Sequence, residues 1–258
     1  MAMEVFQESL KKGPQVSKFV KNHFVAELIG NKNYKLKNYE LALSQTFMKM
    51  DEMLKKPIHK KELSKYLKEQ EDHYFEEDLM YAGCTACVAL ITKFNDLFVA
   101  NAGDSRCVLS RKGIAYPMSF DHKPEDETEI KRILLAGGDV LDGRVNGNLN
   151  MSRAIGDLEF KMNKSLNAEE QLVIAKPDIR STSITPNDEF LIIGCDGVWE
   201  TFSNDQMVQF ITSKMKSDSK LPEIVETLFN TLVAKDINGN YPEPNFQKTK
   251  TVKTICPA

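Results

Sequence analysis

Three aspartates stand where a candidate strand gives way to a tight turn: Asp104 in Gly103-Asp104-Ser105-Arg106, Asp157 in Ser152-Arg153-Ala154-Ile155-Gly156-Asp157, and Asp196 in Gly194-Cys195-Asp196-Gly197-Val198-Trp199-Glu200. Carboxylates at strand ends can converge on one cleft, and hard divalent ions such as Mg²⁺ and Mn²⁺ take oxygen ligands of that kind. Aspartate beside glycine also builds turns with no ion present, so one such pair alone carries little weight. Asp196 is the strongest of the three. It follows the run 190–195, which is too apolar to hold a carboxylate without a cation, water or strong donors. Glu200 lies four residues on, within reach of a shared ion or water, and Trp199, the single tryptophan, reads as a core anchor.

Other chemistry is thinner. His122 in Asp121-His122-Lys123-Pro124 is either a general acid or a structural residue in a loop entering a helix. His23 lies among Phe19, Val20 and Phe24 and reads as a packing or surface histidine, while His59 and His73 sit in charged surroundings with nothing to orient them. Cys84 and Cys87 form a lone Cys-x-x-Cys, lacking the second ligand pair a zinc site requires; on a strand they face opposite sides. There is no P-loop, no dinucleotide-binding glycine fingerprint and no local Ser, His and Asp grouping.

The elements that must position these residues follow from periodicity. Val16, Phe19, Val20, Phe24 and Leu28 recur at helical spacing from Pro14 and are closed by Gly30 and Asn31. A second helix runs over 38–54 on Tyr39, Leu43, Phe47, Met50 and Leu54, with Pro57 as its stop, and 58–79 is a charged surface helix or excursion. From Met80 the character changes. Runs 84–91, 97–100 and 107–109 read as buried strands, with turns at Asn95-Asp96 and Arg111-Lys112-Gly113. The stretch 125–136 predicts a helix capped by Gly137 and Gly138. Residues 179–184 alternate with period two, and 190–195 should be a strand covered on both faces. Ser203 and Gln206 form a capping box, and Pro222 opens a last helix. Helices, then strands, then helices predict a layered domain with helices outside packed sheets.

The totals set limits. A chain of 258 residues can bury a core without staples. Lys and Arg number 34 against 37 Asp and Glu, so the net charge of -3 gives no general pull toward nucleic acid or anionic membranes. Lys55, Lys56, Lys60 and Lys61 read as a solvated face. No apolar run spans a bilayer, the N-terminus has no secretory pattern, and five cysteines, Cys84, Cys87, Cys107 and Cys195 in apolar runs and Cys256 in the tail, suit buried thiols in a reducing compartment.

In order, the chain carries Gly83-Cys84-Thr85-Ala86, Ala100-Asn101-Ala102-Gly103-Asp104-Ser105-Arg106, Asp121-His122-Lys123-Pro124, Gly137-Gly138, Arg144-Val145-Asn146-Gly147, Ser152-Arg153-Ala154-Ile155-Gly156-Asp157 and Cys195-Asp196-Gly197-Val198-Trp199-Glu200. Together these closely resemble the metal-dependent protein phosphatase 2C (PPM-type) family over roughly residues 13–236. The resemblance implies an α+β fold, the α-β-β-α sandwich of two antiparallel sheets flanked by helices. It also implies removal of phosphate from phosphoserine and phosphothreonine proteins by a hydroxide held between two Mg²⁺ or Mn²⁺ ions. It makes Asp196 a ligand of the metal pair, matches Asp104 and Glu200 to a third, weaker ion, and sets Arg153 and Asp157 at the active-site rim.

The departures carry as much meaning. The family begins with a strand bearing a phosphate-binding Arg and a Met-Glu-Asp-like motif, followed by Asp-Gly-His-Gly-Gly. Here Val5-Phe6 is followed by residues 7–13, which hold no Asp-Gly pair and no His. A Gly-x-Asp-Asn motif is expected near the end, where this chain runs Asn238-Gly239-Asn240-Tyr241-Pro242. The expectation is therefore an atypical segment 1–12, a phosphatase domain 13–236 lacking edge strands, and an irregular tail 237–258. No catalytic acid or phosphate-binding Arg is assigned, and turnover should be small. The other reading is a pseudophosphatase that binds phosphoproteins or partners without hydrolysis. Either would be a cytoplasmic or nuclear monomer with no nucleic-acid or membrane partner. Asp104, Asp196 and Glu200 should share one solvent-reachable cleft, with at least one carboxyl raised in pKa by its neighbours.

Overall fold

The computed structural model describes residues 2–8, 13–68, 80–217, 220–232 and 253–255. Its strands are β1 (Ala2–Glu8), β2 (Gly83–Ile91), β3 (Asp96–Ala102), β4 (Arg106–Arg111), β5 (Ile114–Pro117), β6 (Val140–Leu141), β7 (Arg144–Val145), β8 (Ile155–Gly156), β9 (Asp178–Ser183), β10 (Asp188–Gly194) and β11 (Lys253–Ile255). The helices are α1 (Gln15–Gly30), α2 (Lys32–Lys35), α3 (Tyr39–Leu54), α4 (Pro57–Lys68), α5 (Glu127–Leu135), α6 (Asp196–Trp199), α7 (Asn204–Met215) and α8 (Leu221–Leu232).

One sheet runs β1-β2-β3-β9, with β8 also on β2; a second runs β11-β10-β4-β5, and β6 pairs with β7 in a small ribbon. The central strands β2, β3, β4 and β10 are apolar on both sides because both of their faces are covered, while β9 mixes half-buried and exposed residues. Cys87, Ala89, Leu97 and Val99 of the first sheet meet Cys107, Leu109, Leu191 and Ile193 of the second, forming the layer between the sheets. The opposite face of the first sheet, with Cys84, Ala86, Val88 and Ala100, packs on Phe19, Phe24, Leu43, Phe47 and Met50 of α1 and α3. Val108, Phe190 and Ile192 of the second sheet pack on Met207, Val208, Ile211, Ile224 and Leu228 of α7 and α8. This is the α-β-β-α sandwich.

Local chemistry sets the boundaries. Ser203 Oγ accepts from Gln206 N–H while Gln206 Oε1 accepts from Ser203 N–H, so the expected capping box starts α7. The α5 helix ends in a Schellman turn: Gly137, at φ 87°, donates to Leu134 O, and Gly138 donates to Ile133 O.

Three expectations need correcting. Pro57 opens α4 rather than merely stopping α3, because a first-turn residue has no intrahelical use for an N–H. Within the N-terminal segment 1–12, for which the sequence showed no clear element, Ala2–Glu8 supplies β1, in register with β2 from Ala2↔Leu90 to Glu8↔Cys84. The segment expected to be an irregular tail supplies β11, paired to β10 through Leu191↔Ile255. Both strands satisfy open sheet edges, whose unpaired N–H and C=O groups invite partners that composition does not reveal. The remainder of the tail, 237–252 and 256–258, and residues 69–79 lie outside the described residues. Among the described residues, no helix is long and apolar enough to cross a membrane.

Candidate functional site

The pairing of β4 with β10 decides where the carboxylates go. Gly194 at the end of β10 stands opposite Arg106 at the start of β4. Asp196 lies two residues beyond the first and Asp104 two residues before the second, so both fall at the same end of the second sheet. Gly103 permits the turn into Asp104: its φ is 108°, and a Cβ there would meet Thr85 Cβ and Cγ2 at 2.7 and 2.6 Å.

Asp104 is 1% exposed. Its Oδ2 accepts from Lys123 Nζ at 3.0 Å, and its Oδ1 is buried with no hydrogen-bond partner. Burial pushes the Asp104 carboxyl above its ordinary range; Lys123 opposes the rise, and the charges of Asp196 and Asp121 add to it. Asp196 is half-buried and its Oδ1 accepts from Gly197 N–H at 2.5 Å. Glu200 is exposed, one turn on, with its N–H on Asp196 O at 2.8 Å. Asp104 and Asp196 thus lie at the same end of the second sheet and the charge of Asp196 acts on Asp104, which is sealed from solvent; Glu200 is exposed, one turn beyond Asp196.

Asp121 and Lys123 complete this cluster. Lys123 Nζ lies 4.0 Å from Asp121 Oδ2. Asp121 takes a two-point contact from Arg106, Nε to Oδ1 at 2.9 Å and Nη2 to Oδ2 at 3.0 Å. Arg106 also reaches Asn204 Oδ1 at 2.8 Å and stacks over Trp199 at 5.4 Å, tying the site to α7 and α6. Sequence reasoning weighed only His122 in this stretch; the signal for its neighbours was the alternation of charges in Asp121-His122-Lys123.

His122 is buried and takes the structural role. Its Nδ1 accepts from Gly103 N–H at 3.2 Å in the tautomer that leaves the proton on Nε2, and the backbone N–H of His122 donates to Gly103 O at 3.1 Å. Nε2 lies 3.2 Å from Asp178 Oδ2, at ion-pair distance but off hydrogen-bond alignment. From Asp178 the chain of charges continues to Arg153, whose Nη1 donates to Oδ1 at 2.7 Å. Arg153 also donates to Glu129 Oε1, by Nη2 at 2.7 Å and Nε at 3.1 Å, and Arg132 Nη1 reaches Glu129 Oε2 at 2.5 Å. Arg153 is therefore fixed in a mostly buried ion-pair lattice that supports the Gly103–Asp104 turn. Asp157 is buried in the left-handed region at φ 46°, its N–H on Ala82 O at 2.7 Å and its carboxylate packed on Gly83. It precedes the 3-10 turn Leu158–Lys161, whose Lys161 Nζ contacts Asp51 Oδ2 at 2.5 Å in a second buried pair. Cys84 belongs to the core beneath α1 and Cys87 to the layer between the sheets, the opposite placement that strand parity predicts.

A family model described as Protein phosphatase 2C matches residues 4–240. "Probable protein phosphatase 2C 5" of Paramecium tetraurelia is 48% identical over 224 residues, which cover 87% of this chain and 74% of that protein. "Probable protein phosphatase 2C 21" of Arabidopsis thaliana is 41% identical over 253 residues, covering 87% and 71%. Among solved structures, a phosphatase from Toxoplasma gondii superposes with a TM-score of 0.69 at 22% identity over 90% of this chain and 79% of that one, a likeness of fold. With the Gly103–Asp104 and Cys195–Asp196 turns at one end of an α-β-β-α sandwich and the family model spanning nearly the whole sequence, the chain belongs to the protein phosphatase 2C family.

Proposed function

We propose that this chain is a serine/threonine phosphatase domain acting on phosphoserine and phosphothreonine proteins, that Asp104 and Asp196 hold one Mg²⁺ or Mn²⁺ with Glu200 beside them, and that turnover by the chain as written is small. The family is metal-dependent, generally on Mg²⁺ or Mn²⁺, and a protein phosphatase implies phosphoprotein substrates. The observation that carries the metal reading is Asp104 Oδ1: a nearly fully buried carboxylate oxygen without a partner, next to a second carboxylate. Hard oxygen donors of this kind fit a hard divalent ion, and such an ion supplies charge neutralisation and a more acidic water.

The protein's own contribution is positioning. Lys123 and Arg106 hold the carboxylates in charge balance, and His122 pins the turn that aims Asp104. Arg153 and Asp157 serve the rim through the elements they brace. Two carboxylates make one modest site, and residues 7–13 and 238–242 offer no further Asp-Gly-His or Asp-Asn set, which is why turnover is small. Buried cysteines that form no disulfide among the described residues suit a cytoplasmic or nuclear setting. Assay with p-nitrophenyl phosphate and millimolar Mn²⁺ is expected to give little or no turnover; robust activity abolished by Asp196→Ala would overturn the impaired reading.

One observation favours the second reading, a pseudophosphatase that binds phosphoproteins without hydrolysis. Lys123 Nζ already gives Asp104 a cation at 3.0 Å. Calorimetric titration with Mn²⁺ separates the two. Binding that is lost in the Asp104→Ala, Asp196→Ala double variant places the ion at these carboxylates. A flat wild-type titration supports the ammonium as the resident charge, and binding that survives both substitutions puts the ion elsewhere.

A further inference from the structure

We propose that His23 of α1 with His59 and Glu62 of α4 form a second metal site, selective for a borderline transition cation of the Zn²⁺ class. His59 and Glu62 are three residues apart on one helix and so share a face. His23 lies across the interhelical seam, and its Nε2 is 3.0 Å from both Glu62 carboxylate oxygens. One ligand atom from each of the three residues lies within 4.8 Å of the others. In a tetrahedral zinc site with ligand bonds of ~2.0–2.1 Å, ligand atoms stand about 3.3 Å apart, so small side-chain rotations close the set.

The surroundings orient these ligands. Phe19, fully buried, forms a floor: its ring is 4.3 Å from the His23 ring and 5.2 Å from the His59 ring, and the two imidazoles are 5.7 Å apart. Tyr66 OH donates to Glu62 Oε1 at 2.8 Å and itself accepts from Asn22 Nδ2 at 2.7 Å. An outer hydrogen bond of this kind fixes a ligating carboxylate. The His23 and Glu62 side chains are 29% and 31% exposed, so an ion can reach them and a water can fill the fourth position. Two imidazoles and one carboxylate suit Zn²⁺, whereas Mg²⁺ and Mn²⁺ prefer oxygen-only sets. This chemistry separates the site from the Asp104–Asp196 carboxylates. A cation here would clamp α4 onto α1.

Co²⁺ titration of the full, chelator-treated chain tests this. The expected result is an intense visible d–d band of the tetrahedral type, saturating at one equivalent, displaced by Zn²⁺ and unaffected by excess Mg²⁺. An all-oxygen carboxylate site gives only the weak octahedral spectrum. His59→Ala and Glu62→Ala should each weaken binding by more than about 100-fold, beyond the loss of an outer partner, while Tyr66→Phe should weaken it by about 10-fold. No tetrahedral band in the wild-type protein would overturn the proposal, and so would a band that persists in a His23→Ala, His59→Ala double variant. The wild-type spectrum decides even where a variant fails to fold, and an ordinary His23–Glu62 ion pair is what a blank spectrum would leave.

Discussion

Gly156→Ala is expected to destabilise the protein by about 2–5 kcal/mol, the sum of a left-handed backbone cost of about 1–2 kcal/mol and an overpacking cost of about 1–3 kcal/mol. Gly156 has φ 83° and pairs with Gly83 where β8 meets β2. A Cβ there would overlap Ala82 O and stand 2.9 Å from Gly83 Cα, and neither of these backbone atoms can swing aside. The same residue donates its N–H to Asp51 Oδ1 at 2.8 Å, so displacing it also disturbs the buried Asp51–Lys161 pair. Urea unfolding measures the effect. Gly30→Ala is the control, since a Cβ there meets nothing within 4 Å. Equal midpoints for Gly156→Ala and wild type would show that the β2–β8 contact yields without cost.

Glu129→Gln is expected to cost about 3–5 kcal/mol, the usual penalty for breaking a buried ion pair from one side. The Glu129 side chain is 2% exposed and lies between the guanidiniums of Arg132 and Arg153; neutralising it leaves Arg132 buried without its counter-charge and Arg153 with only the exposed carboxylate of Asp178. Burial alone would raise this carboxyl, but Arg153 and then Arg132 outweigh it and hold the pKa down to about 2. The sign follows from linkage. A carboxyl depressed in the folded state contributes stability that is complete above its unfolded pKa and is lost as pH falls through the folded one. Asp178 is depressed too, by His122 in the first place and by Arg153 against burial, and acts in the same direction. Wild-type stability should therefore fall between about pH 5 and pH 2, and Glu129→Gln should flatten that fall. An unchanged pH slope in the variant would mean that other carboxylates carry the acid sensitivity.

The helices were legible because their faces repeat. The stripe Val16, Phe19, Val20, Phe24 and Leu28 is buried along α1, and the Ser203–Gln206 box begins α7. The central strands β2, β3, β4 and β10 were legible as apolar runs because both of their faces are covered. Strand pairing was less so. An edge offers the same backbone groups to any extended segment, and the pairing of Ala2–Glu8 with β2 leaves no mark in either composition. Pro57 shows a similar limit, since proline both ends one helix and starts another and only the following turns decide.

The sequence by itself determined the layered fold, the family and the two aspartate turns, because strand-end position and glycine spacing are local and antiparallel pairing then sends both turns to one end. Tertiary structure alone decided what those turns face. Asp104 answers to Lys123, 19 residues away. Arg153 answers to Glu129, 24 residues away. His23 answers to Glu62, 39 residues away. Periodicity tells which side of an element faces inward, but a polar side chain at a seam takes its partner from whichever element packs across it. That choice is fixed by the core contacts of Phe19, Ile133 and their neighbours rather than by the polar residues themselves.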